Sequence, residues 1–225
     1  MLSLQSIKSK AKDNFYVNKW PCIFVAFISS VIGTASIMIS NIGSDRMISY
    51  DESSLSTNTN ISIGFSIVTL LLSIFVTNVI AVGACRFFLK NGRGETPEIT
   101  EIFSGFTHNY GNTMLTMFIT DLYILLWTLL FIIPGIVKSF SYMLIPYILA
   151  NTPDTPYNEA IAKSQEMMQG HKMEAFKLVF SFIGWWILDA LTLGILGFFF
   201  VDPYYRASLT EFYESVAGNH VSVNV

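Results

Sequence analysis

Five ionisable side chains sit inside otherwise apolar stretches of this chain: Asp121, Lys138, Asp189, Asp202 and Arg206. A charge at membrane depth is costly, so such a residue normally pairs, faces a bundle interior or lines a water path. The chemistry open to it is ion pairing, proton relay or binding of a transported ion. Spacing suggests which of the five could meet. Lys138 lies about three residues past Pro134-Gly135, roughly 5 Å along a helix, and Asp189 lies similarly close to Thr192–Gly194, so these two could pair at one level. Asp121 and Arg206 lie roughly 20 Å and 16 Å from the same level and could pair at mid-depth. Arg206 could instead bond Asp202, four residues earlier on one helix face. The competing reading is structural: Lys138 and Asp189 simply reach the membrane interface.

No other chemistry is legible. There is no H-E-x-x-H, G-x-S-x-G, Walker lysine loop or dinucleotide fingerprint, so neither a catalytic function nor a cofactor is expected. His108, His171 and His220 have no carboxylate cluster around them suited to a metal and read as surface or interfacial. Cys22 and Cys85 fall in apolar runs and read as small buried hydrophobes. Trp127, Trp185 and Trp186 read as an aromatic belt, and Phe198–Phe200 as lipid-facing or packing surface.

The elements that must carry these residues follow from seven uncharged runs: Trp20–Ser44, Ser53–Cys85, Ile102–Thr120, Leu122–Val137, Ser139–Pro153, Leu178–Leu188 and Ala190–Val201. Charged residues make up 13% of the chain and hydrophobic ones 52%, with a mean hydropathy of +0.51. A soluble domain carries about 25% charged residues, so the composition points to an integral membrane protein. The net charge of −3, with no basic block, gives no sign of nucleic-acid binding.

The reading is an all-α polytopic membrane bundle over residues 1–225, about six transmembrane helices in three hairpins with amphipathic interfacial helices. An amphipathic helix occupies 1–19, with Leu4, Ile7, Ala11 and Phe15 on one face. Hairpin 1 covers 20–86, with spans at Trp20–Ile42 and Ile61–Arg86 joined by a solvated loop over Asn41–Asn60. The Asn60-Ile61-Ser62 sequon in that loop is a weak signal. Small residues line both spans and would let them pack closely: Ser29, Gly33, Ser36 and Ser40 in one, and Thr69, Ser73, Thr77, Ala81 and Cys85 in the other.

An interfacial helix follows over 96–110, capped by Thr96 with Pro97 first. Hairpin 2 covers 113–150 and turns at Pro134-Gly135, because one helix over that length would be about 57 Å long. A second interfacial helix covers 156–169, with Tyr157, Ala160, Ile161, Ser164, Met167 and Met168 on its apolar face and Gly170 closing it. Hairpin 3 covers 173–216, with spans at Met173–Leu191 and Ile195–Phe212, a turn at Thr192–Gly194, and Glu211 and Glu214 in water. The recurrence of surface helix then hairpin suggests a threefold pseudo-repeat over 1–85, 96–150 and 156–216.

Basic residues set the orientation. Lys8, Lys10, Lys12 and Lys19, then Arg86, Lys90 and Arg93, then Lys163, Lys172 and Lys177 fall on alternating connections, which places those connections and both termini in the cytoplasm. If Met173–Val201 were one span there would be five, with the tail outside.

The stretch from Trp127 through Pro134-Gly135 and Lys138 to Tyr142 resembles a bacterial membrane family, domain-of-unknown-function family 975. So do Tyr147–Ala150, Glu159-Ala160-Ile161 with Ser164, Met168 and Gly170, Phe180–Trp185, Leu193–Ile195, Pro203-Tyr204 and Phe212-Tyr213. The resemblance runs from about Gly83 to Glu214. It is also similar to the membrane domain attached to some bacterial glycerophosphodiesterases, without their catalytic domain. It implies a multi-pass protein of the bacterial plasma membrane and supplies no catalytic residues. Asn151 stands where that family usually has Asp. The function expected is non-catalytic engagement of membrane lipid, a second copy or another membrane protein through inner-surface helices. The alternative is a small transporter or channel component using Asp121 and Arg206.

Overall fold

The computed structural model describes residues 3–45 and 75–223, with side chains over 3–32 and 75–218. The Asn41–Asn60 loop with its sequon, the start of the second expected span and the His220 side chain lie outside the described side chains. The described residues are all-helical.

Helix α1 (Leu4–Val17) begins where Ser3 Oγ accepts the Ser6 amide at 3.4 Å. Its expected apolar stripe is real: Ile7, Ala11 and Phe15 are buried. That face meets protein, because α1 packs along the last helix, α11 (Asp202–Val223). Phe15 stands edge-on to Phe200 at 6.2 Å, and Tyr204 Oη donates to the Lys8 carbonyl. At Asn18 the chain bends by 101° into α2 (Lys19–Asp45). Helix α3 covers 75–92 and ends at Gly94, whose φ of +81° turns the chain.

The helix expected over Pro97–Tyr110 does not form. Residues 95–98 have no regular structure, a 3₁₀ turn covers Ile99–Phe103 after the extended Glu98, and one α-helical turn, α4, covers Ser104–Thr107. Tertiary packing overrides the capping signal. A Cβ on Gly83 would collide with the Ile102 carbonyl, and one on Gly105 would stand 2.5 Å from the Val79 carbonyl. The segment is pressed backbone-to-backbone onto α3, which a regular helix with side chains all round could not do.

Helices α5 (Tyr110–Leu130) and α6 (Ile132–Tyr142) form the expected hairpin, but Pro134-Gly135 is not its turn. The chain reverses at Phe131, which is extended at φ −154°, ψ 131°. Pro134 fits in the first turn of α6, where its missing N–H is not needed. Gly135 faces the partner helix, and a Cβ there would lie 2.7 Å from Thr128 Cα. Helix α7 (Ile145–Asn151) continues α6 after a break at Met143-Leu144.

Helix α8 (Tyr157–Met167) matches its expectation, with Gly170 at φ +79° beyond it. Its buried Ala160, Ile161, Ser164 and Met167 pack on α5, α6 and α7, and Ser164 Oγ donates to the Ser141 carbonyl at 2.9 Å. The expected span Met173–Leu191 is broken into α9 (Lys172–Phe180) and α10 (Ile183–Leu191). At the break, Ser181 Oγ donates to the Leu178 carbonyl and the Phe182 amide donates to the Val179 carbonyl. The chain then turns at Leu193 and Gly194, both at positive φ, and passes through a π-helical stretch, Gly197–Val201, into α11.

Among the described residues two stretches are long and apolar enough to cross a membrane, Tyr110–Leu130 and Ile132–Asn151. The bent pair Leu4–Val17 with Lys19–Ile32 would make a third. Six spans are not established: α9 and α10 have nine residues each, about 14 Å, and α11 carries charged residues.

Candidate functional site

Charge collects at one end of the bundle. Arg86 and Lys90 are one turn apart on α3, and Arg93 lies just past its end. Glu101, on the 3₁₀ turn that the two glycines hold against α3, faces both cations. Arg86 Nε is 3.2 Å from Glu101 Oε2, and Lys90 Nζ bonds Glu101 Oε1. Arg93 donates from Nε to Glu214 Oε1 at 2.9 Å and from Nη2 to Asn151 Oδ1 at 3.0 Å. Burial, reinforced by Glu214 and opposed by Arg93, holds the neighbouring Tyr213 hydroxyl above its usual range.

A second cluster joins α1 to α11. Glu211, expected to be wet, is only 1% exposed. Asn14 Nδ2 donates to Glu211 Oε1 at 2.6 Å, and Lys10 Nζ lies 2.8 Å from Oε2, an ionic contact without hydrogen-bond geometry. Asn18 and Asn91 bond across at 2.7 Å, and Asn91 also donates to the Asn14 carbonyl. These contacts exist because α1 folds back along α11.

Between α3, α4 and the end of α7 lies an open cleft of about 380 Å³. Arg86, Lys90, Arg93, Glu95, His108, Asn151 and Asp154 supply its polar lining. A smaller cavity of about 10 Å³ shares Arg86, His108, Ala150 and Pro153 with the cleft, and Thr113 lines it. Thr113 is 1% exposed, and its hydroxyl has no hydrogen-bond partner among the described residues. Asn109 Nδ2 donates to Asp154 Oδ1 at 3.0 Å, and Asn112 ties the same loop through the Pro153 and Thr155 carbonyls.

The five residues singled out in the sequence lie elsewhere. Asp121 accepts from Asn78 Nδ2 at 2.6 Å. Lys138 Nζ lies over the Trp127 ring at 5.2 Å and the Tyr142 ring at 5.8 Å. Asp189 Oδ1 takes the Gly197 amide and so caps the helical segment after the turn. Asp202 accepts from Ser30 Oγ at 2.8 Å. Arg206 lies within electrostatic range of Cys85, Tyr147 and Tyr205.

Neither Lys138–Asp189, Asp121–Arg206 nor Asp202–Arg206 is among the ion pairs of the described residues. Depth along a helix was the wrong guide, because lateral packing decides the partner. Helix α5 lies on α6 and α8, whereas α11 lies on α1 and α2. Each acid is satisfied by a neutral donor close by. Sequence reasoning missed Glu101, Glu211 and Thr113. The one available signal was the Arg86/Lys90 spacing, which marks a cationic face in need of an acid.

Residues 129–220, less than half of the chain, match the profile of a family described as "Protein of unknown function (DUF975)". The match supports the family resemblance over the part from the end of α5 into α11, and it leaves Arg86, Lys90, Arg93 and Glu101 outside. No match was found among curated proteins or among solved structures.

Proposed function

We propose that this chain is a multi-pass, non-catalytic integral protein of a bacterial plasma membrane whose charged end lies at the cytoplasmic surface and engages lipid there. One observation carries the reading: charge is clustered at one end of the bundle, and the hairpin tips at the other expose apolar side chains. The α5–α6 tip, Leu129 to Ile133, is exposed throughout, Leu129 by 82%, and Leu193 in the next hairpin turn is 92% exposed. That tip is about 31 Å from the start of α5, one hydrocarbon thickness from the charged cleft. Exposed apolar surface on this scale has no place in water.

The lysines and arginines at the charged end favour the cytoplasmic side. The alternative, a transporter or channel component, draws less support, because Asp121 is bonded to Asn78 and lines neither cavity described. Alkaline carbonate extraction of membranes carrying the protein tests the reading, with the chain expected in the pellet. In intact cells, a cysteine introduced at Arg93 is expected to resist an impermeant thiol reagent and to react once the membrane is opened. Release into the supernatant, or labelling of that position in unbroken cells, overturns it.

A further inference from the structure

We infer that the cleft between α3, α4 and α7 is a binding site for the headgroup of a zwitterionic phospholipid carrying a phosphodiester and a primary ammonium. The inference rests on the membrane reading above and names the lipid chemistry the charged end would take. The cleft's charges are incompletely matched within the protein. Arg86 and Lys90 share the single carboxylate of Glu101, which leaves one positive charge over. Glu95 and Asp154 line the same cleft and belong to no ion pair among the described residues, Asp154 being held by the neutral Asn109.

A ligand with one negative and one positive group can meet the spare positive charge at one end and one of the two carboxylates at the other, whereas a purely anionic headgroup would meet two carboxylates and a single spare cation. The volume of about 380 Å³ suits a small molecule. In the cavity of about 10 Å³ that shares Arg86 and His108 with the cleft, the buried Thr113 hydroxyl lacks a partner among the described residues, and there is room for roughly one water or one ligand oxygen. On the segment that carries His108, Ile99, Phe103, Phe106 and Tyr110 expose apolar surface, with Phe106 and Tyr110 stacked at 5.7 Å. His108, between them in sequence, lines the cleft. That strip gives acyl chains a place to lie, and it favours a lipid over a free phosphate ester.

The test is a binding titration on the purified full-length chain in lipid-free detergent micelles. The probes are dihexanoyl phosphatidylethanolamine, dihexanoyl phosphatidylglycerol, glycerophosphoethanolamine and inorganic phosphate. The ethanolamine lipid is expected to bind about tenfold more tightly than the glycerol lipid, and than its own deacylated headgroup or phosphate. Arg86→Gln is expected to weaken both lipids about tenfold. Asp154→Asn is expected to narrow the preference for ethanolamine, weakening the ethanolamine lipid and tightening the glycerol lipid, because one of the two carboxylates that meet the headgroup is then neutral. Asp154→Asn also stands as the second variant if Arg86→Gln fails to fold.

Equal affinity for the two lipids overturns the zwitterion assignment. Equal affinity for lipid and deacylated headgroup overturns the lipid assignment. Unchanged binding by both variants overturns the location. Carbonate release in cells would instead count against the membrane reading, and this titration, made on the isolated chain, does not depend on that result.

Discussion

At the scale of single residues, the charged end of the bundle is organised by carboxylates that serve more than one donor. Glu211 is the most buried of them, held by Asn14 and Lys10 from a helix almost two hundred positions earlier. Lys10→Ala leaves that carboxylate with one neutral donor, and the expected cost is about 1–3 kcal/mol in thermal or denaturant unfolding in micelles. Glu211→Gln added to Lys10→Ala should recover part of the loss, since the buried group is then neutral; purely additive losses would show that the two side chains do not interact.

Thr113 makes the opposite case. Its hydroxyl is buried without a partner among the described residues, so Thr113→Val should leave the unfolding free energy of the lipid-free protein unchanged or raise it by up to about 1 kcal/mol. A marked loss of stability in that variant would mean that the hydroxyl is already satisfied.

At the scale of elements, glycines separate the helices that pack by backbone from those that do not. Gly135 lets α6 close on Thr128 of α5. Gly135→Ala must therefore push the hairpin arms apart, at an expected cost of about 1–3 kcal/mol. Gly184, in the exposed α10, has nothing within 4 Å of where a Cβ would lie. Gly184→Ala should stabilise by about 0.5–1 kcal/mol through helix propensity alone. Melting both variants side by side in the same detergent checks the pair; a stabilised Gly135→Ala would show that the arms do not touch there. The same distinction accounts for the lost helix at Pro97–Tyr110. Thr96-Pro97 is a sound start signal, but Gly83 and Gly105 draw the segment onto α3 too closely for it to stay regular.

At the scale of the whole molecule, the first helix and the last are partners. A free interfacial helix at 1–19 would be dispensable for the rest of the fold. In the structure its apolar face is covered by α11, and its polar face supplies Lys10, Asn14 and Asn18 to the charged end. Removing residues 1–17 should therefore uncover α11 and yield aggregated protein on size-exclusion chromatography in micelles. A monodisperse, helical truncated chain would instead show α1 to be an appendage.

Much of this was legible from residue order. Period and apolarity located α1, the α5–α6 hairpin, α8 and the Thr192–Gly194 turn, because each is set by neighbours within a few positions. The basic residues marked the charged end, since their grouping is a property of the chain itself. What the sequence could not determine is which groups meet. Asn14 reaches Glu211 across 197 positions, and Arg93 reaches Glu214 across 121. Depth along a helix cannot choose among partners that differ in lateral position. Only the packing of α1 on α11, and of the 3₁₀ turn on α3, settles that question. It does so through close backbone approach and the need of every buried charge for a nearby donor, neither of which can be read from local sequence.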